Sequence, residues 1–547
     1  MRKIVYYTVF VFLFSVCFAQ AATYNWYFSA AGDDGDGNGT ITNPWQTMSK
    51  ARTSYNALGS GNDVYFYFNR GDTFTFNNTG FDYLYIDVGN AYFDAYGSGD
   101  KPILDGEVDF SAGNPLNSPA TRNRWDVIIR FNANSAGSTV SNIDFRNHHG
   151  AAISNGGEYS NITVSYCDFS NLGMHAVSLG PSNCVIEYSN ADLCQRLEEY
   201  HYHVGMWGAA FAFRGEGQDN IIRYCRVTRT YGEGIYLESG STAEKCIVGP
   251  TYSVGIYVVP HDTTPTGGFV IKHCIVYGYE NTTIPGTVSN YRGNDNGIGI
   301  CDETAGGSNN VTVDIIGNFV IHRRWGMRIY DLDGSAVWGA VDIHNNTVID
   351  SYLNNYEFEA ADRYSTVKFY NNASIYYDIT STFLDEGHVY DNIGNDPDYT
   401  REYNLYWPVN GTFPVDQYWD DNYVTSDPTL TATSGWTEPP PSGIIPYDTS
   451  EFDFSNLIPE LGSALFDAGT TISGDLKTIL TAITDVTGTL SASSFVTADT
   501  TIDGYPEIGA LTENIGSGSS ADAVNISYGS NSQGMSVVTN AQDIKAQ

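Results

Sequence analysis

Five residues that could perform acid–base or charge-neutralising chemistry stand in a series of short alternating segments. They are Arg214, Glu238, Tyr257, His261 and Arg328. An arginine can neutralise a carboxylate on a bound molecule, and a histidine or tyrosine can take a proton from a carbon next to it. We assign the first role to Arg214 or Arg328 and the second to His261 or Tyr257. Glu238 would orient the arginine or bind Ca²⁺.

A second set of side chains could hold a sugar chain or a cation beside these five. Aromatic faces pack on sugar rings, while charged groups bind hydroxyls or carboxylates. The candidate substrate-binding residues are Tyr236, Arg292, Trp325, Tyr330 and Asp331. Carboxylate oxygens are the ligands that Ca²⁺ prefers, and the candidate metal ligands are Glu238, Asp302 and Glu303. Ca²⁺ is therefore the one cofactor we expect.

The same stretch of chain also offers paired carboxylates, the arrangement that hydrolyses a glycosidic bond. Glu238 could pair with Asp302 or Asp331. Glu357 could also pair with Asp331. A neutral substrate would favour this chemistry, with Glu238 as a candidate general acid. The residues are thus compatible with two reactions, β-elimination by proton removal next to a carboxylate and hydrolysis by paired carboxylates.

An internal repeat positions these candidates, with a period of about 22 residues where the connecting loops are short. One half of the unit has the pattern apolar–x–apolar, then a small or amide residue and another apolar pair, as in ITVSYCDF (162–169). The other half is a short alternating strand, as in GIYLESG (234–240). Period-2 alternation without helical periodicity predicts a parallel β-solenoid.

One position of the repeat is always small or an amide. Its residues are Cys167, Ser189, Cys225, Cys246, Cys274, Asn318, Asn346 and Asn372. We predict that they stack inside one bend, where an asparagine can bond to the backbone of the next coil and a cysteine acts as a small apolar residue. The cysteines of this column should therefore be buried and reduced.

Alternation along the second half of the unit assigns each side chain to a face. The inward residues are Ile235, Leu237, Ile256, Val258, Ile298, Ile300, Met327, Ile329, Tyr356 and Phe358. The outward residues are Ala212, Arg214, Tyr236, Glu238, Tyr257, Val259, Gly299, Cys301, Arg328, Tyr330, Glu357 and Glu359. Two long loops, 193–208 and 278–296, precede strands of this type. We predict a cleft between these loops, lined by the outward residues.

The repeat resembles the right-handed parallel β-helix proteins of the pectate-lyase-like superfamily over roughly residues 24–512. NPWQTMSKA (43–51) is similar to their opening segment, in which a helix caps the first coil. GSALFDAGT (462–470) and DGYPEIGAL (503–511) are similar to closing segments of bacterial members. The resemblance implies an all-β right-handed parallel β-helix with an N-terminal helical cap, and an enzyme that acts on polysaccharides.

A more local resemblance is carried by Pro260-His261-Asp262, which is similar to the Asp-Pro-His-Asp or Asp-Pro-His-Glu signature of the mannuronan C5-epimerases. The acidic position before the proline is Val259 here, and the tyrosine expected three residues earlier is Ile256. Neither residue can donate or accept a proton. Only His261 carries over from that catalytic set, so we do not expect epimerase activity.

Charge and the termini limit the partners and the location. The formal net charge is −37 at pH 7, which disfavours nucleic acid and anionic membranes as partners. Residues 1–21 resemble a secretory signal, with a basic start, an apolar run and a small-x-small cleavage site. We predict a secreted or periplasmic monomer. Its segments would be the signal peptide at 1–21, cap and first coils at 22–137, regular coils at 138–395, C-terminal coils and closing segment at 396–512, and a flexible tail at 513–547.

Three functions are compatible with these observations. The first is a polysaccharide lyase that cleaves a uronate-containing glycan by β-elimination. The second is a glycoside hydrolase, and the third is a carbohydrate-binding or adhesion solenoid without catalytic activity. The long loops favour an enzyme, because insertions in a solenoid commonly line its binding face.

Overall fold

A computed structural model of the chain provides the coordinates. It describes residues 22–58, 61–75, 84–87, 89–110, 126–132, 135–156, 159–196, 208–215, 217–238, 240–259, 268–278, 296–302, 312–321, 323, 325–331, 338–349, 351, 354–358, 364–376, 387–391, 399–402, 404–408, 478–480, 495–497, 525–527 and 536–538.

The described chain contains one helix and many short strands. In chain order they are β1 (Thr23–Phe28), α1 (Met48–Asn56), β2 (Asp63–Asn69), β3 (Thr73–Thr75), β4 (Leu84–Ile86), β5 (Ala91–Tyr96), β6 (Ile103–Asp105), β7 (Val127–Phe131), β8 (Thr139–Ser141), β9 (Asp144–His148), β10 (Ala151–Ser154), β11 (Thr163–Ser165), β12 (Asp168–Leu172), β13 (Val177–Leu179), β14 (Val185–Glu187), β15 (Asn190–Asp192), β16 (Ala209–Phe213), β17 (Asn220–Arg223), β18 (Arg226–Thr228), β19 (Glu233–Leu237) and β20 (Ser241–Glu244). The later strands are β21 (Ile247–Val248), β22 (Ile256–Val258), β23 (Phe269–Lys272), β24 (Ile275–Tyr277), β25 (Asn296–Asp302), β26 (Val313–Ile316), β27 (Phe319–Ile321), β28 (Trp325–Asp331), β29 (Trp338–His344), β30 (Thr347–Ile349), β31 (Asn354–Phe358), β32 (Tyr364–Tyr370), β33 (Ala373–Tyr376), β34 (Gly387–Asp391), β35 (Tyr399–Glu402), β36 (Leu405–Pro408), β37 (Thr478–Leu480), β38 (Phe495–Thr497), β39 (Asn525–Ser527) and β40 (Ser536–Val538).

Three long parallel sheets form the solenoid. The first sheet has 13 strands, from β1 and β2 through every third strand to β35. The second has 11 strands, from β4 and β7 to β34, and the third has 12, from β3 and β6 to β36. Each coil therefore contributes one strand to each sheet, as the repeat predicts. Crossovers between parallel strands of one sheet are right-handed in nearly all proteins.

The interior is a continuous apolar core, and the predicted inward face of the second sheet is confirmed. Each inward residue is at most 2% exposed: Ile235, Leu237, Ile256, Val258, Ile298, Ile300, Met327, Ile329, Tyr356 and Phe358. All of them belong to the main core cluster. The alternation therefore has the predicted register, because a shift of one residue would place these side chains outside.

The predicted ladder of small and amide residues is also confirmed. The Asn318 N–H donates to Asn346 Oδ1 at 2.8 Å, and the Asn346 N–H donates to Asn372 Oδ1 at 3.0 Å. Asn404, which the sequence reading omitted, continues the ladder by accepting the Asn372 N–H at 2.8 Å. At the other end the Cys167 N–H donates to the Ser189 hydroxyl at 3.1 Å. These buried side-chain amides connect successive coils by hydrogen bonds along one line.

A left-handed backbone position precedes each ladder residue from Cys167 to Asn372, and also Ile143 one coil earlier, and turns the chain between the first and third sheets. Its φ angles lie between 48° and 60° in Asn142, Tyr166, Tyr188, Tyr224, Lys245, His273, Gly317, Asn345 and Asn371. This region is uncommon for residues other than glycine. Its repetition shows that the bend requires the conformation, with one side chain outward and the next one inward.

The helix near the N-terminus begins after Thr47, whose side chain accepts the Lys50 N–H at 3.1 Å. Tyr55 is fully buried, with its ring centroid 5.9 Å from that of Phe66 in the first sheet. The function of this helix as a cap stays a prediction. The predicted segment boundaries also stay predictions, and residues 1–21 lie outside the described residues. Within the described part of the chain, no helix has the length and apolarity needed to cross a membrane.

Candidate functional site on the second sheet

Strand pairing aligns one outward position of the second sheet into a column parallel to the solenoid axis. We call it the central column, and it consists of Tyr85, Arg130, Ser154, Ser178, Ala212, Tyr236, Tyr257, Gly299, Arg328 and Glu357. Successive coils are about 4.8 Å apart. The column brings together three of the predicted site residues, Tyr236, Tyr257 and Arg328, on one face.

Two tyrosines meet over the gap in this column left by Gly299. The hydroxyl of Tyr330 donates to the hydroxyl of Tyr257 at 3.0 Å, and their rings are nearly parallel, with centroids 6.4 Å apart. Tyr236 packs edge-on against Tyr257 with centroids 6.0 Å apart. A Cβ at residue 299 would lie 3.3 Å from Tyr257 Cδ2. Glycine at this position therefore leaves room for the paired rings.

Arg328 lies against the same tyrosine pair. Its guanidinium carbon is 4.5 Å from the Tyr330 ring centroid and 4.3 Å from the Trp325 ring centroid. Its Nε is 2.7 Å from Glu357 Oε1, and Asn354 Nδ2 donates to Glu357 Oε2 at 2.8 Å. Both oxygens of Glu357 thus have partners, and the carboxylate fixes the guanidinium against the two aromatic rings.

Several side chains that we predicted to line an open cleft are in fact buried. Tyr257 is 3% exposed, Tyr330 2%, Val259 1% and Cys301 0%. Together with Val254 they form an apolar cluster separate from the interior core. The expectation of an exposed surface was wrong here, because side chains from neighbouring coils pack over Gly299 and cover one another.

Arg214 follows β16, four coils before Arg328 along this face, and has a different environment. Its guanidinium carbon is 4.9 Å from the Tyr236 ring centroid. Glu238 follows the neighbouring strand, and no ion pair joins it to Arg214. Instead, Arg214 Nε is buried and lacks a hydrogen-bond partner among the described residues.

His175 was missed by the sequence analysis and lies next to this arginine. Its Nδ1 is 2.8 Å from the Ala209 carbonyl oxygen. Burial, with a further contribution from the charge of Arg214, lowers the pKa of His175 to about 3. The imidazole is therefore neutral at pH 7. Alignment of AVSLG with AFAFRG could have revealed this position, since the histidine directly precedes the first of these segments.

Asn296 was also missed, and its environment is unusual for a buried amide. It is fully buried, and neither its Oδ1 nor its Nδ2 has a hydrogen-bond partner within the described residues. A Cβ at residue 299 would lie 3.1 Å from its Nδ2, which places the amide beside the tyrosine pair. Buried polar groups are normally hydrogen-bonded, so this amide is a candidate contact for a bound hydroxyl or water.

The predicted Ca²⁺ ligands are only partly described. Glu238 follows β19, whereas Asp302 ends β25, so their backbones are two coils apart, about 10 Å. Asp302 pairs in register with Asp331 across β25 and β28. His261, Arg292, Glu303 and Glu359 lie outside the described residues. Over the described ranges, no three His, Cys, Asp or Glu residues are close enough to hold a metal ion, and Ca²⁺ binding stays a prediction.

A known family model agrees with the fold. Residues 127–313 match a family model described as a right handed beta helix region. No curated protein matches the chain. Similar solved structures include pectate lyase Pel9A (14% identity, TM-score 0.48, covering 91% of this chain and 98% of that one) and a rhamnogalacturonan lyase (15%, 0.42, 72% and 90%). An alginate lyase from Paenibacillus is 13% identical (TM-score 0.37, covering 63% and 97%). The family match and the parallel pairing of three sheets identify the chain as a right-handed parallel β-helix.

Proposed function

We propose that the protein is a polysaccharide-active enzyme that cleaves an acidic glycan by β-elimination at a uronate. The observation that carries this proposal is the cluster of Tyr257, Tyr330 and Arg328 on one outward face. The hydroxyl groups of the two tyrosines are 3.0 Å apart, and a guanidinium lies against one ring. This cluster combines proton-transfer groups with a cation that can neutralise a carboxylate.

The elimination requires a proton to leave C5 of the uronate and the glycosidic oxygen to leave C4. Tyr257 takes the C5 proton while Arg328 or Arg214 neutralises the adjacent carboxylate. The C4–O bond breaks, a C4=C5 double bond forms, and the proton is returned to the leaving oxygen through the paired tyrosine hydroxyls. Glu357 is a positioning residue, because it holds Arg328 through Nε.

Access and recognition follow from the neighbouring side chains. The substrate approaches Tyr257 from the side of Tyr236 and Arg214, which are only partly buried. His261 and Glu238 keep the roles predicted from the sequence, as a second candidate base and as an orienting or Ca²⁺-binding carboxylate. The enzyme acts as an exported monomer, as the N-terminal segment and the acidic charge suggest.

The described geometry favours elimination over hydrolysis. Hydrolysis needs two carboxyl groups about 5–9.5 Å apart, one of them acting as an acid. Both oxygens of Glu357 are already engaged, by Arg328 and by Asn354. Glu238 and Glu357 belong to coils four steps apart, about 19 Å along the axis. Glu357 therefore lacks the environment that a hydrolase pair needs, whereas the side chains of Asp302 and Asp331, the predicted partners of Glu238, lie outside the described residues.

The test is incubation of the purified chain with acidic and neutral polysaccharides, with added calcium or with a chelator. Ultraviolet absorbance from an unsaturated uronate is the expected result. Reducing ends without that absorbance would indicate a hydrolase. Binding without either product would indicate an adhesion protein.

Variants then identify the catalytic groups. We expect Tyr257→Phe to lower the rate by about 10²–10⁴-fold, the usual contribution of a proton-transfer group. Tyr188→Phe is the matched control, because Tyr188 lies in a stack of tyrosines at the bend between the other two sheets. Arg214→Ala, Glu238→Gln, His261→Ala and Arg328→Ala complete the set. Full activity in every folded variant would refute this assignment.

A further inference from the structure

We propose that Arg323 is a positioning residue for the tyrosine pair formed by Tyr257 and Tyr330. Its guanidinium group binds the backbone of the three coils that build this pair. The inference rests on the proposed function, in which the two hydroxyl groups transfer protons. Arg323 acts through the backbone that carries the tyrosines and takes no part in the proton transfer itself.

Three successive coils contribute to the tyrosine pair. Tyr257 lies on β22, Gly299 on β25 and Tyr330 on β28. The contact of 3.0 Å between the two hydroxyl groups therefore depends on how these three strands are placed relative to one another. A shift of about 1 Å breaks a hydrogen bond of this length and can lower the rate of a reaction about 100-fold.

Arg323 binds all three coils at the bend where the chain passes from the third sheet to the second. It lies between β27 and β28 and is 1% exposed. Its Nη2 donates to the carbonyl oxygen of Ser253, which precedes β22, and to that of Asn296, which begins β25, at 3.0 Å. Its Nη1 donates to the carbonyl oxygens of Thr251 at 3.4 Å and Tyr277 at 3.3 Å. The guanidinium group thus connects its own coil to the two coils before it.

Two of these carbonyl groups lie at the ends of the long loop 278–296. Tyr277 directly precedes this loop and Asn296 is its last residue, while residues 279–295 lie outside the described residues. The entropic cost of bringing the ends of a loop together rises with its length, so a strand that follows a long loop needs contacts that fix its first residue. Arg323 supplies such contacts at both ends of the loop and thereby fixes the start of β25.

The side chain of Arg323 also lies close to the glycines beneath the tyrosine pair. A Cβ at residue 297 would lie 3.2 Å from Arg323 Cγ. A Cβ at residue 299 would lie 3.1 Å from Asn296 Nδ2 and 3.3 Å from Tyr257 Cδ2. A displacement of the arginine would therefore reach the first tyrosine through only a few residues of β25.

The chemistry of the side chain explains why an arginine suits this position. A guanidinium group carries five N–H donors in a planar fork, whereas lysine has three donors on one nitrogen and methionine has none. Buried carbonyl groups that lose a donor destabilise the structure around them. We expect Arg323→Met to loosen the three coils at this bend, and Arg323→Lys to keep part of the contacts.

Gln195 offers a matched control at the same bend of an earlier coil. It is fully buried, and its Nε2 donates to the Ala209 carbonyl oxygen at 3.2 Å. Ala209 begins β16, whose residue in the central column is Ala212. Gln195→Ala therefore removes a similar contact from a coil that contributes nothing to the tyrosine pair.

The first measurement is an NMR spectrum of the full chain with its tyrosines labelled at the ring carbon that bears the hydroxyl group. Tyr257→Phe and Tyr330→Phe assign the two signals. We expect both signals to shift in Arg323→Met, to shift less in Arg323→Lys, and to stay in place in Gln195→Ala. Thermal melts check that each variant folds, and Arg323→Lys provides the test if Arg323→Met does not fold.

The second measurement is the rate of formation of unsaturated product. We expect Arg323→Met to lower kcat about 100-fold and to leave KM nearly unchanged, because positioning matters in the transition state. In a Tyr257→Phe background the same substitution should have a much smaller effect, since residues that act as a unit are not additive. Gln195→Ala should have the same effect in both backgrounds.

Unchanged tyrosine signals in the folded Arg323 variants would overturn the inference, and so would equal shifts in Gln195→Ala. A loss of kcat that is as large in the Tyr257→Phe background would also overturn it. The outcome is separable from the proposed function. Tyrosine signals that depend on Arg323 in a chain that forms no unsaturated product reject the lyase and keep the positioning role, whereas an unsaturated product with signals independent of Arg323 does the reverse.

Discussion

The asparagine ladder allows a quantitative prediction at Asn346. Its Oδ1 accepts the Asn318 N–H at 2.8 Å, and its Nδ2 donates to the Ile315 carbonyl at 2.8 Å. Asn346→Ala removes both partners from inside a fully buried bend. A buried polar group that loses its partner costs about 1–3 kcal/mol. Two such groups predict a loss of about 2–6 kcal/mol in the local free energy of opening.

Hydrogen–deuterium exchange measures this loss where it occurs, because stability in a repeat protein is a sum of local terms. Peptides covering β26 and β29 should exchange faster in Asn346→Ala. Peptides from β1 and β2, at the far end of the same sheet, should not change. The comparison within one variant separates a local effect from loss of the fold.

Two further variants give the prediction its controls. Asn25→Ala makes the same chemical change at an exposed position of β1, and we expect it to change stability by no more than about 0.5 kcal/mol. Asn346→Ser should fall between wild type and alanine, because Ser189 accepts a backbone N–H at the same position of another coil. If the peptides covering β26 and β29 exchange no faster in Asn346→Ala than in Asn25→Ala, the ladder contributes nothing to stability and the reasoning fails.

Three other predictions follow from buried side chains. Burial raises the pKa of the Cys167 thiol to about 12 and those of Cys246 and Cys274 well above the ordinary value; these thiols should react with a titrant only after denaturation, and a disulfide between them would contradict the ladder. Burial lowers the pKa of His175 and His273 to about 3 and that of His344 to about 4. Since the unfolded chain takes up these protons below about pH 6.5, denaturant midpoints should fall as pH decreases from 6.5 toward 4, and stability that does not change over that range would refute this. Ile256→Ala should cost about 2–5 kcal/mol, as for other buried truncations, and a wild-type melting curve would be incompatible with the observed register.

Periodicity made the inward half of each coil predictable. Ile256 and Met327 were placed inside because every second residue of a strand faces the same way. Asn318 and Asn346 were placed in a ladder because an amide recurs at one position of a repeating unit. Such contacts are made between equivalent positions of neighbouring coils, so one sequence is enough to predict them.

For the outward residues of each coil, the sequence predicted only the direction in which the side chain points. Tyr257 and Tyr330 do face away from the core, but their mutual contact depends on Gly299 lying between their coils. Alternation assigns a face and says nothing about what covers it. Arg130 and Tyr85 were missed for another reason: a long connection separates their strands, and only the observed pairing places them in the same column as Tyr236.

The inward and outward faces of a coil differ in how far their residue types can vary from one coil to the next. An inward residue must fit the equivalent residues of the coils before and after it, which explains the uniformity of the core. An outward residue has to fit only what covers it locally, as Gly299 does beneath the tyrosine pair, so the central column can change from small side chains at Ser154 and Ser178 to an aromatic ring at Tyr236. The size of the outward side chains can thus differ from one coil to the next, and successive coils are about 4.8 Å apart along the axis. Ala212 faces outward but is fully buried, so Ala212→Tyr should destabilise the coil by overpacking, at a cost of about 1–3 kcal/mol, and an unchanged thermal melt would contradict this packing.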